Sequence, residues 1–255
     1  MEAMIFAAGI GSRLKPFTLT HPKALAPVAG IPALQRCMNR LHKVSQVDHM
    51  VINIHHFPDE IRRYVQENPM PGVDISLSDE SGLLLDTGGG LLNAVKLFHS
   101  TETPVFLHNA DIVTDAPLDQ MMSSFVDSGA DAMLLTDPLR SSSRLLWFDQ
   151  KTLRLAGWTN RNDGEARPAQ FQPDTNRMFP ASFNGIHIVR MGRIIPLLVR
   201  YAEIYGPVFS LTPFYLWAID QGADIRAFIP SEPYRWHDIG TPEKLAAASH
   251  DFSGS

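Results

Sequence analysis

Residue types that suit phosphate chemistry are concentrated near the start of the chain. Gly9, Gly11, Ser12 and Arg13 directly follow an apolar run, and Lys23 comes ten residues after Arg13. Glycine lets a backbone approach a polyphosphate, so that N–H groups, one guanidinium and one ammonium together replace the water around the phosphates. The spacing predicts a phosphate-binding loop, although an ordinary turn between a strand and a helix uses glycine in the same way.

Two common phosphate-binding motifs do not fit this loop. A P-loop requires Gly-Lys-Ser/Thr, and a dinucleotide-binding fold requires a third glycine after Gly9 and Gly11. The chain has neither pattern at this position. The loop therefore predicts phosphate binding of another kind.

Two aspartates, Asp111 and Asp238, each come after a short segment predicted to be a strand, at 105–108 and 235–237. Open α/β sheets bind ligands beyond the carboxyl ends of their strands, so the two carboxylates can face each other across a cleft. Such a pair suits Mg²⁺, which keeps water and phosphate oxygens among its ligands. Taken alone, each aspartate is more often a turn residue or a helix cap.

The histidines do not match a zinc site. His55 and His56 are adjacent, but no further ligand stands at a suitable spacing. His237 precedes Asp238, where it could orient that carboxylate, although a histidine in an edge strand is the simpler interpretation. The lone cysteine, Cys37, cannot form an internal disulfide and is predicted to be a buried thiol.

Length and composition narrow the class of protein. The chain has 255 residues, of which 44% are hydrophobic and 19% charged, and its formal charge is −5. These values are typical of a soluble globular protein with a large core. With 22 basic residues against 27 acidic ones, no general positive field favours nucleic acid, whereas a small phosphorylated ligand needs only a few local cations.

No segment predicts a membrane span or an export signal. No apolar stretch approaches the ~20 residues of a membrane helix, and the N-terminus lacks the basic start, apolar run and cleavage site of a signal peptide. We therefore expect a cytoplasmic protein with neither a membrane nor a nucleic-acid partner.

The elements that must position these residues follow an α/β pattern in the first half of the chain. Short apolar runs rich in β-branched residues alternate with amphipathic stretches, which predicts a parallel sheet covered by helices. The strands are predicted at 3–8, 50–55, 73–77, 105–108 and 131–135, and the helices at 31–43, 59–66 and 119–127. The apolar, glycine-rich segment 82–90 is predicted to form a turn before a helix that ends near Lys96.

The second half of the chain shows a different pattern of predicted elements. Segments 144–148 and 153–158 predict a hairpin, and the polar stretch 159–182 predicts a long loop or lid. Strands at 183–189 and 225–229, helices at 193–201 and 210–220, and a last helix from Pro242 complete the pattern. We expect one sheet that carries a smaller lobe near 140–210.

Taken together, the motifs resemble those of the sugar-1-phosphate nucleotidyltransferases. Their signature, Leu-Ala-Ala-Gly-x-Gly-x-Arg-(Leu/Met)-x-Pro-x-Thr and then Pro-Lys-x-Leu-x-Pro-(Val/Ile)-x-Gly, is matched here except that Phe6 occupies the first position. The likeness continues in order through 86–90 (Asp-Thr-Gly-Gly-Gly), 109–111 (Asn-Ala-Asp), 184–186 (Asn-Gly-Ile) and 236–243 (Trp-His-Asp-Ile-Gly-Thr-Pro-Glu). It covers nearly the whole chain.

The resemblance implies a Rossmann-like three-layer α/β/α sandwich with a mixed, mainly parallel sheet. One domain over 1–255 would have a nucleotide-binding part at about 1–135 and a sugar-binding part at about 136–240. The implied reaction joins an NTP and a sugar 1-phosphate to give an NDP-sugar and pyrophosphate. No general base is needed, because the attacking phosphate oxygen is already anionic.

The resemblance also implies roles for individual residues. Arg13 would hold the β- and γ-phosphates, and Lys23 would bridge the α-phosphate and the incoming phosphate, which makes these two the catalytic cations. The remaining implied contacts are to nucleotide (Ala8, Gly9, Gly11, Ser12, Arg13, Glu80, Thr87, Gly88), to sugar (Asn109, Asn184, Gly185) and to Mg²⁺ (Asp111, Asp238).

Within the family, the greatest likeness is to the uridylyltransferases that act on N-acetylmuramate 1-phosphate. A turn of three glycines after Thr87 would let backbone groups read a pyrimidine, which favours UTP, whereas Glu80 or Asp86 could read guanine. A mannose- or heptose-1-phosphate guanylyltransferase therefore stays open. A cytidylyltransferase for a non-sugar phosphate and a non-catalytic nucleotide-sugar-binding regulator are further alternatives.

Overall fold

A computed structural model of the protein describes residues 1–45 and 47–254. Its strands are β1 (Glu2–Phe6), β2 (Pro27–Val28), β3 (Ile31–Pro32), β4 (His49–Ile54), β5 (Asp74–Asp79), β6 (Pro104–Asn109), β7 (Ile112–Thr114), β8 (Ala132–Asp137), β9 (Arg144–Asp149), β10 (Leu155–Asn160), β11 (Ala166–Arg167), β12 (Met178–Arg190), β13 (Ile225–Phe228) and β14 (Trp236–Asp238). Its α-helices are α1 (Ala33–Ser45), α2 (Pro58–Glu67), α3 (Asp86–Ala94), α4 (Leu118–Ser128), α5 (Met191–Tyr205), α6 (Leu211–Asp220) and α7 (Pro242–Asp251). Short 3-10 helices occur at Phe17–Leu19, Lys23–Leu25 and Val95–Leu97.

The expected α/β/α sandwich with a mixed, mainly parallel central sheet is confirmed. Strand β1 lies between β4 and β6, and both pairings are parallel, as is the pairing of β4 with β5. The long strand β12 runs antiparallel to β6 and continues the sheet to β8 and β9. Two short antiparallel pairs, β7 with β14 and β2 with β3, lie beside this sheet.

The inner strands are apolar on both faces because helices cover both sides of the sheet. In β1, Ala3 and Ile5 belong to one buried cluster with α1 and α4, whereas Met4 and Phe6 belong to another with α3, α5 and α6. Both faces of an inner parallel strand are shielded in this way, so its sequence reads as a continuous apolar run. This arrangement explains the apolar run before the glycine-rich loop.

Three local predictions are wrong. Residues Ile31 and Pro32 form β3 with β2, so the first helix begins only at Ala33. The stretch 159–182 is not one long loop, because β10 extends to Asn160, β11 occupies Ala166–Arg167 and β12 begins at Met178. Strand pairing stabilises these segments, locally for β2 with β3 and β10 with β11 and over a long sequence distance for β12 with β6, and composition alone does not reveal such pairing.

The third wrong prediction concerns the glycines at 88–90. They lie inside α3, which begins at Asp86, and do not form a turn. Close packing explains why glycine is needed there: a Cβ on Gly88 would lie 2.3 Å from the Phe209 ring, and one on Gly89 would lie 2.1 Å from the carbonyl oxygen of Pro207. The glycines allow α3 to touch the 207–209 segment directly.

None of the helices in the described part of the chain is long and apolar enough to cross a membrane.

In the described part of the chain, three histidines are buried in the central sheet, and two of them, His108 and His187, have no carboxylate partner. Nδ1 of His187 lies 2.9 Å from the Tyr215 hydroxyl, and Nδ1 of His108 lies 2.9 Å from the carbonyl oxygen of Asn109. Burial lowers the pKa of His108 to about 4, and burial together with the charge of His108 lowers the pKa of His187 to about 3. Both side chains are therefore neutral in the folded protein near pH 7.

We expect the free energy of unfolding to fall as the pH drops below about 6.5. The unfolded chain takes up protons on these histidines near their ordinary pKa, whereas the folded chain does not, so acid favours unfolding. Each histidine should contribute a loss of about 2 kcal/mol by pH 5. Urea unfolding at pH 7.5, 6 and 5 measures the slope.

The variant His187→Gln should reduce that slope, and His250→Gln, which replaces a histidine with 90% of its side chain exposed, should not. An unchanged slope for His187→Gln would contradict the assignment.

Candidate active site

The predicted phosphate loop follows β1 at the carboxyl edge of the sheet. Gly11 has φ +67°, and a Cβ there would lie 2.9 Å from both the Lys23 Cβ and the Thr18 Cγ2. The Thr18 hydroxyl donates to the carbonyl oxygen of Gly11 over 2.8 Å. Only glycine fits this position without strain, and its small size brings Lys23 against the loop.

A buried amide and carboxylate behind the loop hold its first residues. Oδ1 of Asn53, in β4, accepts hydrogen bonds from the N–H groups of Ala7 (2.7 Å) and Ala8 (3.3 Å). Nδ2 of Asn53 donates to Glu80 Oε1 over 2.8 Å, and the N–H of Leu85 donates to Glu80 Oε2 over 3.1 Å. Burial raises the pKa of Glu80, and the two donated bonds oppose that shift.

Two of the residues predicted to contact the nucleotide, Glu80 and Gly88, are bonded within the protein. Glu80 is only 3% exposed, both of its carboxylate oxygens accept protein hydrogen bonds, and it lies behind the cavity rather than on its wall. Gly88 is also buried, and its N–H donates to the carbonyl oxygen of Phe209 over 2.8 Å. Neither residue therefore presents a free group to a base.

The neighbouring Asp86 and Thr87 do reach the cavity. Asp86 is exposed at φ +59°, with Oδ2 accepting from the Ser210 hydroxyl over 2.5 Å. The Thr87 hydroxyl accepts from the N–H of Leu211 over 3.0 Å. The predicted residues Ala8, Gly9, Gly11, Ser12, Arg13 and Thr87 all line one cavity of about 500 Å³, together with Lys23, Asn53, Asp86 and Asp111.

The two predicted metal carboxylates are brought to the same edge. Asp111 precedes β7 and Asp238 ends β14, and these strands pair with Asp238 opposite Ile112. The N–H of Ile239 also donates to the carbonyl oxygen of Asp111 over 3.0 Å.

Each carboxylate already has an ammonium partner. Lys23 Nζ bonds Asp111 Oδ2, and Lys244 Nζ lies 2.6 Å from Asp238 Oδ2. Burial alone would raise the pKa of Asp238, but Lys244, the charge of Lys23 and the N–H of Gly240 lower it below its ordinary value. Both carboxylates have the oxygen-donor chemistry that a hard divalent cation requires.

A second cavity of about 710 Å³ adjoins the first and contains the predicted sugar residues Asn109, Asn184 and Gly185. Oδ1 of Asn109 and Oδ1 of Asn184 are buried and lack a hydrogen-bond donor among the described residues. Unpaired buried acceptors are unfavourable unless a ligand supplies donors, as the hydroxyl groups of a sugar would. Gly185 has φ +76°, and a Cβ there would lie 3.0 Å from Asn109 Nδ2, so glycine permits this approach.

The two cavities share Arg13, Asn109 and Asp111 on their walls. Several other lining residues were missed from sequence, among them Asn53, Arg140, Arg144, Trp158 and Trp236. Asn53 carried a usable signal, because an amide inside the apolar run of β4 needs a buried partner. Trp236 begins the 236–243 motif but received no predicted role, and no motif marked Arg140, Arg144 or Trp158.

The remaining histidines have partners within the protein, and the prediction that Cys37 is a buried thiol is confirmed. His55 and His56 bond the carbonyl oxygens of Glu80 and Thr18, and His237 Nε2 lies 2.7 Å from Asp251 Oδ2 rather than supporting Asp238. Cys37 is buried, and burial raises the pKa of its thiol.

Glu2, His49 and His99 form a further group of potential ligands at the opposite edge of the sheet. Glu2 accepts hydrogen bonds from His49 Nδ1 (2.5 Å) and from the N–H groups of His99 (2.9 Å) and Ser100 (3.0 Å). His49 Nε2 lies 3.1 Å from the Ser76 hydroxyl, and its ring stacks on that of His99. These contacts give the group a structural role in fixing the 98–100 segment.

At one edge of the sheet, the glycine loop, Arg13 and Lys23 lie beside Asp111 and Asp238 where two cavities meet, an arrangement suited to binding phosphate groups. Residues 2–144 match the family model described as nucleotidyl transferase. Over 253 residues the chain is 32% identical to N-acetylmuramate alpha-1-phosphate uridylyltransferase of Caulobacter vibrioides, covering 96% of this chain and 94% of that protein. The chain belongs to the nucleotidyl transferase family, and it is a sugar-1-phosphate nucleotidyltransferase.

Other relatives share part of the sequence or the fold. The chain is 30% identical over 145 residues to mannose-1-phosphate guanylyltransferase catalytic subunit beta of Danio rerio, a match that covers 56% of this chain but only 40% of that protein. The structure of HddC from Yersinia pseudotuberculosis complexed with GMP-PN superposes with a TM-score of 0.71 at 19% identity, covering 98% of this chain and 99% of that one. At that identity the superposition shows the shared fold.

We expect Gly89→Ala to destabilise the protein by about 2–4 kcal/mol, because the new Cβ would collide with backbone rather than with a flexible side chain. Gly82→Ala is the matched control, since nothing lies within 4 Å of a Cβ there. Urea unfolding of both variants measures the difference. Equal stabilities would contradict the packing role of the glycines.

Proposed function

We propose that the protein transfers a uridylyl group from UTP to N-acetylmuramate 1-phosphate, giving the UDP-sugar and pyrophosphate. The observation that carries this proposal is the meeting of the two cavities at Arg13, Asn109 and Asp111. A nucleotide in the first cavity and a sugar phosphate in the second would place the two phosphates side by side at those residues. Similarity to the Caulobacter uridylyltransferase over nearly the whole of both chains supports the choice of substrates.

In this proposal the nucleotide-binding part is about 1–135 and the sugar-binding part about 136–240. A non-bridging oxygen of the sugar phosphate attacks the α-phosphorus of UTP, a new P–O bond forms, and the bond to pyrophosphate breaks. The attacking oxygen carries no proton to remove, so the protein contributes positioning and charge neutralisation.

Arg13 and Lys23 supply the cations for this step. The Arg13 guanidinium lies beside the loop and lines both cavities, where its planar donors suit the β- and γ-phosphates. Lys23 is held against Gly11 and Asp111, so its ammonium group lies where the α-phosphate and the incoming phosphate meet. Asn109 contacts a hydroxyl group of the sugar, with Asn184 and Gly185 alongside.

Asp111 and Asp238 would hold Mg²⁺, the cofactor that this chemistry favours. Their carboxylates lie at the same edge of the sheet. Each is balanced here by the ammonium group of a lysine, Lys23 for Asp111 and Lys244 for Asp238. Bound magnesium would neutralise phosphate charge as pyrophosphate leaves. The Glu2 group lies at the other edge of the sheet and takes no part.

Asp86 favours a second candidate, a guanylyltransferase. Its carboxylate lines the nucleotide cavity and can accept hydrogen bonds from the N1–H and amino groups of guanine. The carboxylate already accepts bonds from Ser210 and from the N–H of Thr87, which reduces its capacity for a base. We therefore place UTP first.

A panel of UTP, GTP, CTP and dTTP against N-acetylmuramate 1-phosphate, N-acetylglucosamine 1-phosphate and mannose 1-phosphate tests the proposal. We expect pyrophosphate release to be fastest with UTP and N-acetylmuramate 1-phosphate, with the UDP-sugar identified by mass spectrometry. The wrong base should be slower by on the order of 10²-fold, because it leaves polar groups unpaired. Faster release with GTP would replace the uridylyl assignment with the guanylyl one.

We expect Asp111→Asn and Asp238→Asn each to lower kcat by on the order of 10²-fold or more, because each removes negative charge from the magnesium site without changing side-chain volume. Asp220→Asn, on an exposed residue at the end of α6, is the control and should keep full activity. Thermal unfolding checks that all three variants fold. Near-normal kcat of both site variants at saturating Mg²⁺ would refute the metal assignment.

A further inference from the structure

Besides Arg13, three arginines line the sugar cavity, namely Arg140, Arg144 and Arg167. Arg167 is neutralised, because its Nη2 lies 2.8 Å from Glu165 Oε1. Arg140 and Arg144 make no ion pair with any carboxylate among the described residues. The cavity therefore carries positive charge beyond what Arg13 and Lys23 bring to the reacting phosphates.

Arg140 is fixed in place and partly buried. Its Nε donates to the Ser182 hydroxyl over 2.9 Å, and its Nη2 donates to the carbonyl oxygen of Phe183 over 2.6 Å. The guanidinium carbon lies 3.7 Å from the centroid of the Trp236 ring, a cation–π contact. Burial lowers the pKa of Arg140, and the charges of Asp137, Tyr234 and Asp238 oppose that shift, so the guanidinium is partly desolvated while two carboxylates already lie within electrostatic range.

Arg144 is the free member of the pair. It is the first residue of β9 and pairs in register with Asn160 of β10, so its backbone is anchored at the cavity wall. Its side chain is exposed, and its guanidinium makes no hydrogen bond within the described part of the chain. A rigid backbone with an unengaged, forked donor suits recognition of a planar carboxylate.

Among the described residues, the acidic side chains of the same cavity form no ion pair with Arg140 or Arg144, although the charge of Asp238 acts on Arg140. Asp163 accepts from Asn160 Nδ2 over 2.7 Å and from the N–H of Glu165 over 2.9 Å. Asp111 and Asp238 are paired with lysines at the end of the cavity shared with the nucleotide.

We infer that Arg144, beside the positive field of Arg140, binds a carboxylate carried by the sugar ring of the acceptor, so that the cavity selects an acidic sugar 1-phosphate over a neutral one. This inference rests on the proposed function, which supplies the class of acceptor, a sugar 1-phosphate. The acceptor would be anionic at two places, with its phosphate near Lys23 and its carboxylate near Arg144. N-acetylmuramate differs from N-acetylglucosamine by one such group, a lactyl ether.

The inference is tested by comparing an acidic and a neutral sugar 1-phosphate, both in binding and in turnover. Trp158 and Trp236 line the cavity, so their fluorescence can report the binding of either sugar 1-phosphate, with and without an α,β-methylene analogue of UTP that cannot react. We expect Arg144→Gln to raise the Kd of N-acetylmuramate 1-phosphate by on the order of 10- to 100-fold, the size expected for a charge-assisted hydrogen bond. The Kd of N-acetylglucosamine 1-phosphate should change less than about threefold.

Three controls sharpen the comparison. Arg161→Gln removes an exposed arginine of the same lobe that does not line the cavity, and it should bind both ligands as the wild type does. Arg144→Lys should recover part of the affinity for the acidic sugar alone. The lactyl methyl ester of N-acetylmuramate 1-phosphate should bind the wild type as weakly as the neutral sugar does.

Equal losses for both sugars in Arg144→Gln, or equal affinities in the wild type, would overturn the inference. Uridylyl transfer to both sugars at equal kcat/KM would retain the proposed reaction and overturn carboxylate selection. Arg144-dependent binding of the acidic sugar without UDP-sugar formation would retain the inference and overturn the proposed reaction.

Discussion

The parallel pairing of β1 with both β4 and β6 is the constraint on which the rest of the site depends. In that register Phe6 is aligned with Asn53 on one side and with Asn109 on the other, so three chain segments leave the sheet at the same edge. The glycine loop, the Asn53 amide and the Asn109–Asp111 segment therefore emerge as neighbours although they are distant in sequence. The N–H of Ala110 donates to the carbonyl oxygen of Phe6 over 3.0 Å, which fixes the junction between the loop and Asp111.

Gly11 permits the close approach of Lys23 to the loop, and this approach sets the balance of charge at this edge of the sheet. Without a Cβ at Gly11, Lys23 can lie against the loop and still reach Asp111, and its charge also lowers the pKa of Asp238. One ammonium group thus acts on both carboxylates. In a partly buried cleft such interactions are stronger than at an open surface, so the carboxylates are held in position before a cation or polyphosphate arrives.

The sequence predicted the features that depend on local pattern. The strand before Gly9, the loop itself and the positions of Asp111 and Asp238 follow from apolar runs and from motif spacing, and all lie at one edge as expected. Features that depend on tertiary pairing were not predictable in this way. The Asn53–Glu80 network joins two strands and α3, and the walls of the sugar cavity combine β9, β10, β12 and β14. Glu80 illustrates the limit, because a carboxylate near a site can bind a ligand or hold its neighbours, and only burial distinguishes the two.

The three glycines of α3 bear directly on how the base is read. A turn would have offered free N–H groups to a pyrimidine, but in the helix the N–H groups of Gly88 and Gly89 both donate to the carbonyl oxygen of Phe209. The same contact brings Val208 and Asp86 to the nucleotide cavity, so that its wall combines the first half of the chain with a segment more than a hundred residues later. Under the proposed function, Asp86, Thr87 and the backbone of the 7–9 segment would be left to contact the base, since they line the nucleotide cavity. Asp86 has a positive φ and its carboxylate accepts a hydrogen bond from Ser210, so under the proposed function a guanine would have to displace that bond to use the carboxylate, which disfavours guanine relative to uracil.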